Sequence, residues 1–226
     1  MKRKETVGLF GFYFLVAMAF VVFTSQPALA QNEGFKPYSL TVSSGDDPIS
    51  SGITGIVQFT NEKDRLVEVA VQQEQAWFIY GQKFKKSSFS GTLGASIGHF
   101  QGAPWAGPIL AMSMSVGKVA GREVSIRTLQ WPGFFVWEPR NWKNDSVPNN
   151  EAVFLGLLTN VGMDIGPIGL TYSGLNFLNE PWNTLPGVSY TGSVRKDVSV
   201  SGSVTRNINK ERWLFYVGLT WKPEKK

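Results

Sequence analysis

His99 is the only histidine in the chain, and cysteine is absent. Any nucleophilic mechanism that needs an imidazole base must therefore run through this one ring. Lipid-directed hydrolases and transferases pair such a ring with a serine and an orienting acid or amide. The segment Ser96-Ile97-Gly98-His99-Phe100 offers no His-x-Ser spacing. Alternation also turns His99 to the side of Ile97 while Ser96 points the other way. His99 is the one catalytic candidate, and its simpler reading is an interfacial imidazole at a strand end.

The charged residues give a second set. Parity puts Glu68, Glu74, Glu123, Arg127 and Arg195 on the face that carries hydroxyls. Paired carboxylates there could do acid-base work, but opposite charges enclosed in one narrow space neutralise each other as ion pairs. No His, Cys, Asp and Glu group has metal-ligand spacing, and no glycine-rich stretch joins a strand to a helix to hold phosphate. Neither a metal nor a cofactor is expected. The segment from Val136 to Glu151 sets Trp137 and Trp142 beside Arg140. Indoles next to cations can bind sugars, lipid headgroups or a protein, and they serve equally as loop packing near a membrane surface.

The elements that must position these residues are strands. From Val188 to Thr205, Val188, Tyr190, Val194, Val198, Val200 and Val204 alternate with Ser189, Thr191, Ser193, Ser199, Ser201 and Ser203, around Arg195-Lys196-Asp197. A period of two puts the aliphatic residues on one face and the hydroxyls on the other, and the hydroxyl face is uncharged until Arg195. Soluble sheets turn lysine and glutamate to water. A membrane barrel turns its apolar face to lipid and encloses small polar side chains. The pattern recurs from Ile53 to Trp221 and gives ten candidate strands: 53–60, 65–82, 87–100, 105–117, 122–135, 152–163, 168–178, 187–195, 198–206 and 212–221. Short and long connections alternate between them. The predicted fold is an all-β antiparallel transmembrane barrel of about ten strands.

Two features leave eight or twelve strands open. In the segment 65–82, Gln73 and Gln75 share a face with Val67, Val69, Val71 and Trp77, so Gln72 to Gln75 is either a turn or lies beyond the membrane. Tyr38 to Val42 could add a strand. Aromatic placement predicts a girdle with Trp105, Trp131 and Trp213 near the outer strand ends and Trp77 and Trp221 near the inner ones. The enclosed face is mainly Ser, Gly, Thr and Ala, with Phe78, Tyr80, Phe154, Leu158 and Tyr216 as larger exceptions. Such a lumen has room for water or a slim ligand, unless the larger residues plug it.

Lys2, Arg3 and Lys4, the apolar run from Val7 to Phe23, and Ala28-Leu29-Ala30 read as a cleaved secretory signal over residues 1–30. An N-terminal extension is expected over 31–50 and the barrel over 51–226. Losing the signal takes the net charge from +5 to +3, too mild a balance for nucleic-acid binding. Without cysteine, an exported chain must hold itself by packing or by closing its sheet.

The segment Trp213 to Trp221, WLFYVGLTW, resembles the closing strand of small bacterial outer-membrane barrels, though Lys222-Pro223-Glu224-Lys225-Lys226 follow its last aromatic. The resemblance implies residence in the outer membrane among its lipids and insertion by the barrel-assembly machinery. The expected function is a non-enzymatic narrow solute channel or a structural or surface-interaction protein. The alternatives are a lipid-modifying enzyme in the same barrel and a soluble secreted barrel holding an apolar ligand.

Overall fold

In the computed structural model, residues 34–45, 52–73, 75–100, 103–136, 154–177, 185–208 and 211–223 are described. Among them the chain forms β1 (Lys36–Gly45), β2 (Gly52–Thr60), β3 (Arg65–Gln72), β4 (Gln75–Lys86), β5 (Phe89–Phe100), β6 (Ala103–Val119), β7 (Arg122–Phe135), β8 (Phe154–Ile165), β9 (Ile168–Phe177), β10 (Leu185–Ser193), β11 (Val198–Asn207) and β12 (Arg212–Trp221). Each strand pairs antiparallel with its sequence neighbours, and β1 pairs with β12 from Leu40↔Trp221 to Ser44↔Val217, so the sheet closes. Closure leaves no edge of unpaired backbone groups, the condition for a sheet to stand in lipid.

Twelve strands replace the ten preferred from sequence, for two local reasons. Lys36–Gly45 pairs on both sides, with β2 and with β12, so the barrel begins inside the span expected to be an extension. The eighteen-residue segment 65–82 is a hairpin in which Gln72 pairs with Gln75. One continuous strand would have set two amides among the valines of one face, and the turn removes that conflict by resetting the alternation. Glu74 lies outside the described residues, as do the expected signal and Trp137, Arg140 and Trp142.

The connections fall alternately at the two ends, and the three longest share one of them. At the turn rim, where the described chain begins and ends, lie 61–64, 87–88, 120–121, 166–167 and 194–197. The loop rim carries 46–51, 73–74, 101–102, 136–153, 178–184 and 208–211. Ala120 and Gly121 both have positive φ, 50° and 75°, as a two-residue type I′ hairpin requires. The ladder between β6 and β7 shifts register between Ser115 and Gly117, and it is interrupted in register between Ala106↔Phe134 and Leu110↔Gln130, where Pro108 and Pro132 have no N–H to give.

Contacts between strands that are not wall neighbours identify the inside. Arg127 on β7 reaches Ser189 on β10, and Trp77 on β4 meets Trp131 on β7. In a closed barrel such contacts form only across the interior. The opposite parity carries Leu93, Ile97, Leu170, Phe215, Val217 and Leu219, each at least half exposed. A belt of large apolar side chains of this extent has lipid as its natural solvent. Phe78 and Tyr80 belong to that outer face, not to the lumen as predicted, because the hairpin inverted the parity of β4.

Candidate functional site

Alternation along β5 to β12 turns a hydroxyl-rich surface to the interior, and there it encloses a cavity of about 950 Å³. Thr92, Ser113, Ser125, Thr171, Ser203 and Tyr216 are among the residues that line it. The surface is short, polar and uncharged over most of its extent, so it can be wetted without holding a fixed ligand.

One ion pair lies on this wall. Arg127 Nε donates to Asp164 Oδ2 at 3.0 Å, while its Nη1 donates to Asn160 Oδ1 at 2.8 Å and its Nη2 to Ser189 Oγ at 3.3 Å. Asn160 Nδ2 in turn donates to Ser173 Oγ at 2.6 Å. The network spans β7 to β10 and meets most of the donors of the guanidinium. Gly162 makes the placement possible: a Cβ there would stand 2.9 Å from Arg127 Cζ. The guanidinium thus lies against the wall over a residue without a side chain, and its charge is met by Asp164.

A second network crosses β1 to β4. Ser39 Oγ donates to Gln58 Oε1 at 2.8 Å, Gln58 Nε2 to Glu68 Oε2 at 2.7 Å, and Trp77 Nε1 to Glu68 Oε1 at 2.8 Å. Among the described residues the Glu68 carboxylate is met by neutral donors alone. At the closing seam the hydroxyls of Thr41 and Thr220 share a hydrogen bond of 2.9 Å. At the turn rim Lys83 Nζ sits 3.4 Å from the centre of the Tyr38 ring, reaching from β4 across to β1.

Three of the five tryptophans expected in a girdle are inside. Trp77 and Trp131 meet edge to face at 5.8 Å and 77°, and Trp105 and Trp131 at 5.2 Å and 74°. Trp131 Nε1 donates to Ser96 Oγ at 2.7 Å, and Ser96 donates on to the Gly107 carbonyl at 2.7 Å. Parity held this signal for two of them. Trp105 continues the row of Ala111 and Ser113, and Trp131 the row of Arg127, both assigned inward. Trp77 needed the β3–β4 turn to be recognised. With Phe100 and Phe135 the three indoles wall a recess of about 120 Å³ near the loop rim.

Trp213 and Trp221 stand on the outer face at the two rims. Arg206 lies over the Trp213 ring at 5.5 Å, and Trp221 Nε1 donates to Asp197 Oδ2 at 3.1 Å. Two charged residues expected inside are at the turn rim instead. Arg195 occupies the β10–β11 turn with its side chain 75% exposed and Nε 3.5 Å from Asp197 Oδ1, and Glu123 is exposed near the β6–β7 turn. His99 is exposed on the outer face, opposite Ala76 and Pro104 in the sheet. Among the described residues no hydrogen bond ties its ring to a hydroxyl or carboxylate, so the elements of a nucleophilic site are not brought together.

No protein-family model matches the chain, and no curated protein matches its sequence. Solved structures share its architecture. The structure titled "KdgM porin" superposes with a TM-score of 0.54 at 13% identity, over 84% of this chain and 100% of that one. A second, "KdgM porin in complex with disordered oligogalacturonate", gives the same values. The Acinetobacter baumannii outer membrane protein Omp33 aligns at 12% identity over 83% of this chain and 99% of that one, with a TM-score of 0.46. The likeness to the KdgM structures is one of fold: a closed, antiparallel β-barrel.

Proposed function

We propose that the protein is an outer-membrane channel for small hydrophilic solutes. The observation that carries this reading is the cavity of about 950 Å³ inside the closed barrel, lined mainly by short hydroxyl and glycine positions. The ion pair beside it is pressed to the wall over Gly162, which leaves the space clear and adds no net charge to this stretch of the wall. Export by the N-terminal signal, lipid against the outer face and insertion by the barrel-assembly machinery belong to the same reading. They are supported by the signal-like residues 1–30, the exposed apolar belt and the closing-strand resemblance. One of the similar structures is titled as a complex with oligogalacturonate, an acidic saccharide. Here the lumenal guanidinium is already matched by Asp164, which favours uncharged solutes over anions as the general cargo.

Incorporation of the purified protein into planar bilayers tests the reading. The expected result is discrete, long-lived conductance steps in potassium chloride. Protein that shows the heat-dependent gel mobility of a closed barrel yet adds no conductance would overturn it.

A further inference from the structure

We infer that the aromatic recess near the loop rim is a binding site for a methylated ammonium group, such as the headgroup of choline. The inference goes beyond channel activity and stands without it.

The recess is walled by Trp77, Phe100, Trp105, Trp131 and Phe135, with Gln75 at its border. Its rings stand at steep angles to one another. Trp131 is close to perpendicular to both Trp77 and Trp105, Phe100 and Phe135 meet at 72°, and Trp105 and Phe135 at 40°. Stacked parallel rings would make a slot for a flat ligand, whereas rings set on several sides make a cage for a compact one. Water takes roughly 30 Å³ in the liquid, so about 120 Å³ accommodates a group of about four heavy atoms. A trimethylammonium group has that size and that rounded shape.

Two of the three indole N–H groups of the cage are already used. Trp77 Nε1 is bonded to Glu68 and Trp131 Nε1 to Ser96, so these two indoles offer ring atoms to the space. An apolar box alone would take any small hydrocarbon. Its charge setting makes the difference, because the Glu68 carboxylate accepts the Trp77 N–H and Gln58 Nε2, and no cation neutralises it among the described residues. A carboxylate on the indole N–H polarises that ring and strengthens the negative potential over its face. Organic cations are held by such faces, all the more where water is excluded. Lysine or arginine is a poorer occupant, since the Gln75 amide at the border can accept from one of its N–H donors and the ring carbons from none.

The test is calorimetric titration of the full chain, folded in a maltoside detergent, with choline and with its uncharged isostere 3,3-dimethylbutan-1-ol. Choline is expected to bind about tenfold more tightly than the alcohol. Glu68→Gln, which keeps a hydrogen-bond acceptor for the indole, and Trp105→Leu should each weaken choline several-fold, with the alcohol unchanged in Glu68→Gln. Equal binding of the two ligands would reduce the recess to an apolar pocket and overturn the inference. Absence of binding by either would overturn it too. The comparison on the unaltered protein does not depend on any variant folding.

Discussion

Arg127 shows how one residue can be charged and yet add no net charge to a passage. Its guanidinium is held by Asp164, Asn160 and Ser189 and rests over Gly162. Removing it leaves the Asp164 carboxylate facing the cavity without its partner. Two unit charges about 4 Å apart in water interact by about 1 kcal/mol, which corresponds to a change of about fivefold in the relative entry of cations and anions. Arg127→Ala should therefore shift the reversal potential in a potassium chloride gradient toward cation selectivity, and Asp164→Asn should shift it the opposite way. Shifts in the same direction for both variants would show that the pair does not face the permeating ions. The alternation rule assigned Arg127 inward from sequence. The strand that would bring Asp164 to it was not legible, because the pairing joins residues 37 apart through the register of β7 with β8.

At the scale of elements, the decisive unit is the β3–β4 hairpin. Glutamines on an otherwise aliphatic face were the sequence's only mark of it, and such a mark is equally compatible with a strand that outruns the membrane. Once the turn is placed, Trp77 enters the lumen while Phe78 and Tyr80 leave it. Trp105 and Trp131 teach a different lesson: their position near strand ends suggested a girdle, although they continue the rows of Ser113 and Arg127, which point inward. Side-chain direction is fixed by the pleat, so parity has the stronger physical basis. The hairpin also sets the topology, with Gln73 at the loop rim and the Ala120-Gly121 turn at the opposite rim. An epitope inserted after Gln73 should be reached by antibody on intact cells, and one inserted between Ala120 and Gly121 only after permeabilisation. The reverse pattern would invert the barrel in its membrane.

The whole molecule is a wall with two solvents. Sequence periodicity made the all-β class and the two faces legible, because both follow from a repeat of two over nearly the whole chain. It left the number of strands open, since closure depends on β1 finding β12 across more than 170 residues. The central claim is that the hydroxyl face encloses water while the aliphatic face meets lipid. The chain has no cysteine, so a single introduced thiol reports on its own surroundings. The most direct measurement is the labelling of Ser203→Cys and Val217→Cys, each in the bilayer-inserted protein, by a small charged methanethiosulfonate reagent. The cysteine at 203 should react readily and lower the conductance as it does, while the one at 217 stays unlabelled until the protein is unfolded. Ready labelling at 217 with protection at 203 would contradict the account, because it would put water on the aliphatic face and exclude it from the interior.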